Sequence, residues 1–230
     1  MRRSGRLGLL GGTFDPIHIG HLDAADAARA ALGLDGVLFV PTHDQPLRPV
    51  EPRITGYQRF ALAALAVSER PQDAVSDIEL TRPGPSYTAD TLRELHADGW
   101  RAAQLFFILG TDAFAEIAKW HGFPSFLDLA HFIVIARPGV TIDEATARIP
   151  ELRSRMSTAT GDAEIGLGST RIFLVHATTH DVSSTQIRDR IAAGRAIDDL
   201  VPAPVARHIL KHQLYGAVDD LHGENERCQS

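Results

Sequence analysis

Leu7-Gly8-Leu9-Leu10-Gly11-Gly12-Thr13-Phe14-Asp15-Pro16-Ile17-His18-Ile19-Gly20-His21-Leu22 is the stretch on which the reading of this chain turns. A short apolar run, Leu7–Leu10, has the length of a buried strand. Two glycines and a proline then break it, and from Ile19 to Leu32 apolar residues recur at helical spacing. The stretch therefore predicts strand, tight turn and helix in direct succession.

The same alternation continues along the chain. Apolar runs predict strands at Leu7–Leu10, Val37–Val40, Val75–Leu80, Leu105–Leu109, Phe132–Ala136 and Ile172–Val175. Helical spacing is found over Ile19–Leu32, Gly56–Glu69, Thr88–Ala97, Asp143–Met156 and Thr185–Ala193. Strands that are apolar throughout, interleaved with helices, predict an α/β fold with a doubly wound parallel sheet. One domain over 1–216 is expected, with a polar and flexible tail over 217–230. No internal repeat is present. Ligands in such sheets bind at the carboxyl ends of strands. That directs attention to residues 11–21, 41–53, 110–112, 137–139 and 181–188.

The chain has 230 residues, 44% hydrophobic and 23% charged, as in ordinary water-soluble domains. No apolar run approaches the roughly 20 residues of a membrane span. The Leu7–Leu10 run is too short and glycine-broken for a signal peptide, so a cytoplasmic location and no membrane partner are expected. The formal net charge of −6 argues against nucleic acid as a partner. The single cysteine, Cys228, excludes an internal disulfide and makes a poor nucleophile candidate. Lys119 and Lys211 are the only lysines, so any grip on phosphate falls to arginine, histidine and backbone N–H groups.

Gly11 and Gly12 let the backbone approach an anion, and the helix start beyond them offers free N–H donors. His18 and His21, three residues apart, share a face if they lie on the opening turn. They can face a phosphate; the plainer alternatives are a structural turn with an exposed histidine pair, or a zinc site. Zinc lacks cysteine or carboxylate ligands at suitable spacing here. The segment is neither a Walker loop nor a dinucleotide fingerprint. A second turn, Val182-Ser183-Ser184-Thr185-Gln186-Ile187-Arg188, lies at another strand-to-helix junction. Ser183 and Gln186 fit a capping box, which needs no ligand. The same hydroxyls, with Arg188 one turn in, also suit a triphosphate.

The first segment resembles the signature of the nucleotidyltransferases that carry an H-x-G-H motif, and the second resembles their I-S-S-T-x-I-R signature with valine in place of isoleucine. Within that superfamily, Glu79-Leu80-Thr81-Arg82-Pro83-Gly84-Pro85-Ser86-Tyr87-Thr88-Ala89-Asp90-Thr91-Leu92 is similar to the acceptor-side signature of bacterial nicotinate-nucleotide adenylyltransferases. Gly110-Thr111-Asp112-Ala113-Phe114, Trp120-His121, Ala130-His131-Phe132, Arg137-Pro138-Gly139 and the run from Asp199 to Val205 follow in that family's order. The likeness covers roughly residues 7–215. Phosphopantetheine adenylyltransferases resemble the first motif but are shorter chains.

What the resemblance implies is a Rossmann-like nucleotidyltransferase fold that transfers the adenylyl group of ATP to nicotinate mononucleotide, giving nicotinate adenine dinucleotide and pyrophosphate in NAD biosynthesis. His18, His21 and Arg188 would be the catalytic set, and Gly11, Gly12, Thr13, Phe14, Ser183, Ser184 and Thr185 would bind ATP. Arg48, Thr88, Gly110, Asp112, Trp120, His121 and Arg137 would bind the mononucleotide. Trp120 would stack on the pyridine ring, its alternative being a packing residue; Asp112 would meet sugar hydroxyls, or simply cap a helix. Mg²⁺ would arrive with ATP rather than on a protein metal site, and a homo-oligomer is possible. The family's Pro-His-Arg or Pro-His-Lys triplet is Pro46-Leu47-Arg48 here, with His43 nearby as a substitute for the missing imidazole. Preference for nicotinamide mononucleotide, and a non-catalytic nucleotide-binding role on the same fold, stay open at this point.

Overall fold

The computed structural model describes residues 5–47, 51–136, 139–158 and 169–217. Its strands are β1 (Leu7–Gly12), β2 (Gly36–Pro41), β3 (Ala74–Val75), β4 (Leu105–Gly110), β5 (His131–Ala136), β6 (Met156–Thr158) and β7 (Ile172–His176). The helices are α1 (Ile19–Leu32), α2 (Gly56–Ala66), α3 (Thr88–Ala97), α4 (Thr111–Ala115), α5 (Ile142–Ala145), α6 (Ser184–Ala192) and α7 (Ala203–Lys211), joined by short 3₁₀ turns. All seven strands form one sheet in the order β3-β2-β1-β4-β5-β7-β6, and every ladder is parallel. The order reverses between β1 and β4, the switch point at which such sheets open a crevice.

The strands β1, β2, β4, β5 and β7 feed two cores, because successive side chains point to opposite faces. On β4, Phe106 and Ile108 pack with Phe39, Ile133, Phe173 and residues of α1, α2, α6 and α7. Leu105, Phe107 and Leu109 turn the other way, to Phe132, Val134, Leu174 and residues of α3. Both faces of the sheet are thus covered, as the apolar strands require.

Two expectations fail in detail. The third strand ends at Val75 rather than Leu80. Beyond it, Ser76 Oγ accepts from the Ile78 N–H and the Thr81 N–H donates to the Asp77 carbonyl, so local turns take the backbone groups a strand would have offered. The helix expected over Asp143–Met156 stops at Ala145. Pro150 cannot continue a helix, and a 3₁₀ turn from Pro150 to Arg155 leads into β6, an edge strand that the sequence reading did not anticipate. The expected tail, from 218 onward, lies outside the described residues.

Candidate functional site

Two helix starts meet at one cleft. α1 opens at His18, whose extended backbone (φ −148°, ψ 171°) makes it the N-cap, and α6 opens at Ser183, whose hydroxyl accepts from the Gln186 N–H at 3.1 Å. The two turns are stitched together. Ser184 Oγ donates to the Pro16 carbonyl at 2.8 Å, and Arg188 Nη1 donates to the Asp15 carbonyl at 2.7 Å. The two signature segments, more than 160 residues apart in sequence, therefore form one wall.

The cleft has a volume of about 1120 Å³ and is lined by residues of the turns after β1, β2 and β7. His18, His21, Thr13, Ser183, Ser184, Thr185 and Arg188 all line it. Gly11, Gly12 and Phe14 lie behind this surface. A Cβ on Gly12 would meet the Phe14 ring at 2.8 Å, so the second glycine is required by packing. Phe14, at φ 51°, is buried beneath the turn and meets the His21 ring edge-on at 5.0 Å between centroids.

The histidine pair is tightly built. The ring centroids stand 3.7 Å apart, and the His18 backbone N–H donates to Nδ1 of His21 at 3.2 Å. That bond fixes the neutral tautomer of His21 with its proton on Nε2, as a donor. A Cβ on Gly20 would lie 3.2 Å from the Nδ1 of His18, so the glycine between the histidines makes room for the ring. Burial lowers the pKa of His18 to about 4, against a smaller opposing pull from Asp23. Burial, and then the neighbouring His18, hold His21 well below its ordinary value. Both rings are neutral near pH 7.

Arg59 is the residue that the sequence reading missed. It is 2% exposed, yet its guanidinium donates to the Thr13 carbonyl at 2.6 Å and to the Thr42 carbonyl at 2.7 Å. It thus ties the carboxyl ends of β1 and β2 together at the floor of the cleft, while its Nε has no partner among the described residues. Burial pulls its pKa down and Asp15 opposes this; an arginine nevertheless stays charged. A signal was available: Arg59 shares the stripe of Leu62, Ala63 and Ala66, the buried face of α2. Asp15 and Tyr215 were missed as well. Asp15 accepts from the Arg53 N–H at 2.8 Å and from the Tyr215 hydroxyl at 3.0 Å.

Of the expected acceptor residues, Thr88, Gly110, Asp112, Trp120 and His121 lie off the lining of this cleft. The Ser86 N–H donates to the Asp44 carbonyl at 2.7 Å, and Ser86 Oγ accepts from the His43 N–H at 2.9 Å. This joins the start of α3, and with it Thr88, to the rim. Tyr87 stacks on His121 at 4.3 Å, and Trp120 is half-buried between Phe107 and Phe126, with centroids at 5.8 and 6.0 Å. Gly110 caps α4 and opens to free space, and Asp112 lies exposed in the first turn, so Asp112 is not the helix cap. His43 and Leu47 both line the cleft. Arg48 and Arg137 lie outside the described residues.

A family model described as Cytidylyltransferase-like matches residues 9–190. A protein of Roseiflexus sp. (strain RS-1) called "Probable nicotinate-nucleotide adenylyltransferase" is 42% identical over 212 residues, 92% of this chain and 98% of that one. The chain belongs to the nicotinate-nucleotide adenylyltransferase family. A relative of the same name from Herpetosiphon aurantiacus is 40% identical over 212 residues, 91% of this chain and 98% of its own. Among solved structures, nicotinic acid mononucleotide adenylyltransferase of Plasmodium falciparum, complexed with NaAD, superposes with a TM-score of 0.66 at 18% identity. It covers 92% of this chain and 97% of its own, a likeness of fold. No helix among the described residues is long and apolar enough to cross a membrane.

Proposed function

We propose that this chain transfers the adenylyl group of ATP to nicotinate mononucleotide, releasing pyrophosphate and forming nicotinate adenine dinucleotide. The observation that carries the reading is the convergence of His18, His21, Ser183, Ser184, Thr185 and Arg188 on one cleft at two helix starts, in a chain 42% identical to a relative of that name.

In the reaction, an oxygen of the mononucleotide phosphate forms a bond to the α-phosphorus of ATP, and the bond from that phosphorus to the bridging oxygen of the β-phosphate breaks. The attacking phosphate has a second pKa of about 6, so it is already anionic at neutral pH and needs no base. The chain's task is to hold two anions together and stabilise charge as it moves to the leaving group. His21 donates from Nε2, and Arg188, the α6 N–H groups and the Ser and Thr hydroxyls meet the remaining phosphate oxygens. Arg59 adds a buried positive charge beneath them.

A divalent ion, here Mg²⁺, offsets triphosphate charge when bound. No three His, Cys, Asp or Glu side chains among the described residues converge as metal ligands would. The ion would be carried by phosphate and water oxygens, with the chain's own groups meeting phosphate. On the acceptor side, Trp120 and His121 face the pyridine ring and its carboxylate, Thr88 supplies a hydroxyl, and Gly110 with Asp112 meets the sugar. His43 and Arg53 stand at the rim where Leu47 replaces the family's imidazole, and the family resemblance assigns Arg48 and Arg137 to phosphate.

The test is ATP labelled at the α-phosphorus, incubated with Mg²⁺ and nicotinate mononucleotide. The label should pass to a dinucleotide; label recovered in AMP alone would overturn the reading.

A further inference from the structure

Tyr215 lies outside the cleft lining, but its hydroxyl reaches a group inside it. The turn that delivers it is unusual. Gln213 has φ 50° and Tyr215 φ 61°, two non-glycine residues in the left-handed region within three positions. A bulky side chain adopts that region only where its surroundings impose it, and such positions gather at functional sites. Leu214 between them is buried in the core with α7, and it anchors the turn.

The hydroxyl donates to Oδ1 of Asp15 at 3.0 Å, while the Arg53 N–H holds Oδ2 at 2.8 Å. Each carboxylate oxygen therefore holds one donor, and the two bonds fix how the carboxylate is turned. Arg188, whose guanidinium stands directly beside them, reaches Oδ2 only at 3.8 Å. It bonds instead to the Asp15 main-chain carbonyl at 2.7 Å and to Thr185 Oγ1 at 3.1 Å. A free carboxylate and guanidinium at this range would close to a forked pair of about 2.7–2.9 Å. Burial and the Asp15 charge both raise the tyrosine pKa, so the phenol keeps its proton and always donates.

The geometry points to Tyr215 as a positioning residue: by holding Oδ1 it keeps the Asp15 carboxylate from turning Oδ2 onto Arg188, and so leaves the remaining N–H groups of the guanidinium to the phosphates of ATP. This rests on the adenylyl-transfer reading and extends it to a residue near the end of the fold. Tyr215 touches no substrate; it acts through Asp15.

The experiment is calorimetric binding of α,β-methylene-ATP with Mg²⁺, without acceptor, to wild type, Tyr215→Phe, Asp15→Asn and the double variant. Circular dichroism melting accompanies each, and phenylalanine keeps the ring so that the turn is retained. Tyr215→Phe should weaken the analogue five- to tenfold. In the Asp15→Asn background, where no carboxylate is left to capture Arg188, the same change should shift affinity less than twofold. A merely structural tyrosine would weaken binding equally in both backgrounds, and that result, or an unchanged affinity in the first, overturns the proposal. Wild type that binds no analogue would overturn the adenylyl-transfer reading itself, and this proposal with it.

Discussion

The backbone N–H of His18 donates to Nδ1 of His21 at 3.2 Å, so the first histidine fixes the tautomer of the second. With the ring centroids 3.7 Å apart and His18 held at a pKa of about 4, the pair waits uncharged. A triphosphate placed against it reverses that balance, because nearby negative charge favours the protonated ring.

Binding of the ATP analogue should therefore take up protons. Near pH 6.5 both free rings are neutral; Nδ1 of His21 accepts the His18 N–H and has no place for a second proton, so the bound anion acts on His18 and raises its pKa from about 4. Calorimetry in buffers of differing ionisation enthalpy should show net proton uptake per site, lost in His18→Ala and kept in His21→Ala. Uptake in His18→Ala equal to that of wild type would remove His18 from the phosphate.

Each of those variants should also lose rate while keeping its fold. A lost donor to charge developing in the transition state costs roughly 10²–10³ in kcat. Saturating-ATP turnover is the measurement, and near-normal kcat in both would leave the histidines a structural role.

Arg59→Met should destabilise the fold more than it changes the surface of the cleft. It leaves the Thr13 and Thr42 carbonyls unpaired, each bond to a charged group being worth about 1.5–3 kcal/mol. Arg59→Lys keeps charge but not the fork, so it should restore only part of the loss. Denaturant midpoints for the three proteins check the order wild type, Lys, Met.

His131 gives the fold an acid limit away from the cleft. It starts β5, is 1% exposed, stacks on Phe106 and accepts the Arg171 N–H at 3.0 Å. Burial lowers its pKa from 6.5 to about 4, helped by the Arg6 and Arg171 charges. Between those values the unfolded chain binds a proton that the folded chain refuses. The His131 contribution to stability is thus full above pH 6.5, declines as pH falls toward 4, and levels off below, a loss of about 3 kcal/mol at most. His131→Asn, whose amide oxygen can replace Nδ1, should flatten that decline in urea unfolding at pH 7.5, 5.5 and 4.5.

Both signature turns were legible because their chemistry is local: glycines at a strand end, a capped helix start, histidines one turn apart. The parallel sheet was legible from strands apolar on both faces. What stayed hidden depends on distant partners. Arg59 was passed over because its partners, the Thr13 and Thr42 carbonyls, lie 46 and 17 residues away in the chain. Asp15 and Tyr215, 200 residues apart, meet only because α7 packs against α2 and returns the chain to the cleft. Val75–Leu80 misled because, past Val75, half-buried Ile78 and buried Leu80 pack from turns rather than from a ladder.

The central claim is that the acceptor is nicotinate rather than nicotinamide mononucleotide, and one comparison tests it most directly. kcat/KM for the two acceptors is measured side by side with saturating Mg²⁺-ATP, by continuous release of pyrophosphate. A site built to meet a carboxylate leaves its donors unpaired, or facing another donor, when an amide takes its place. The account predicts a kcat/KM at least tenfold higher for nicotinate mononucleotide. Equal values, or a preference for the amide, would contradict it.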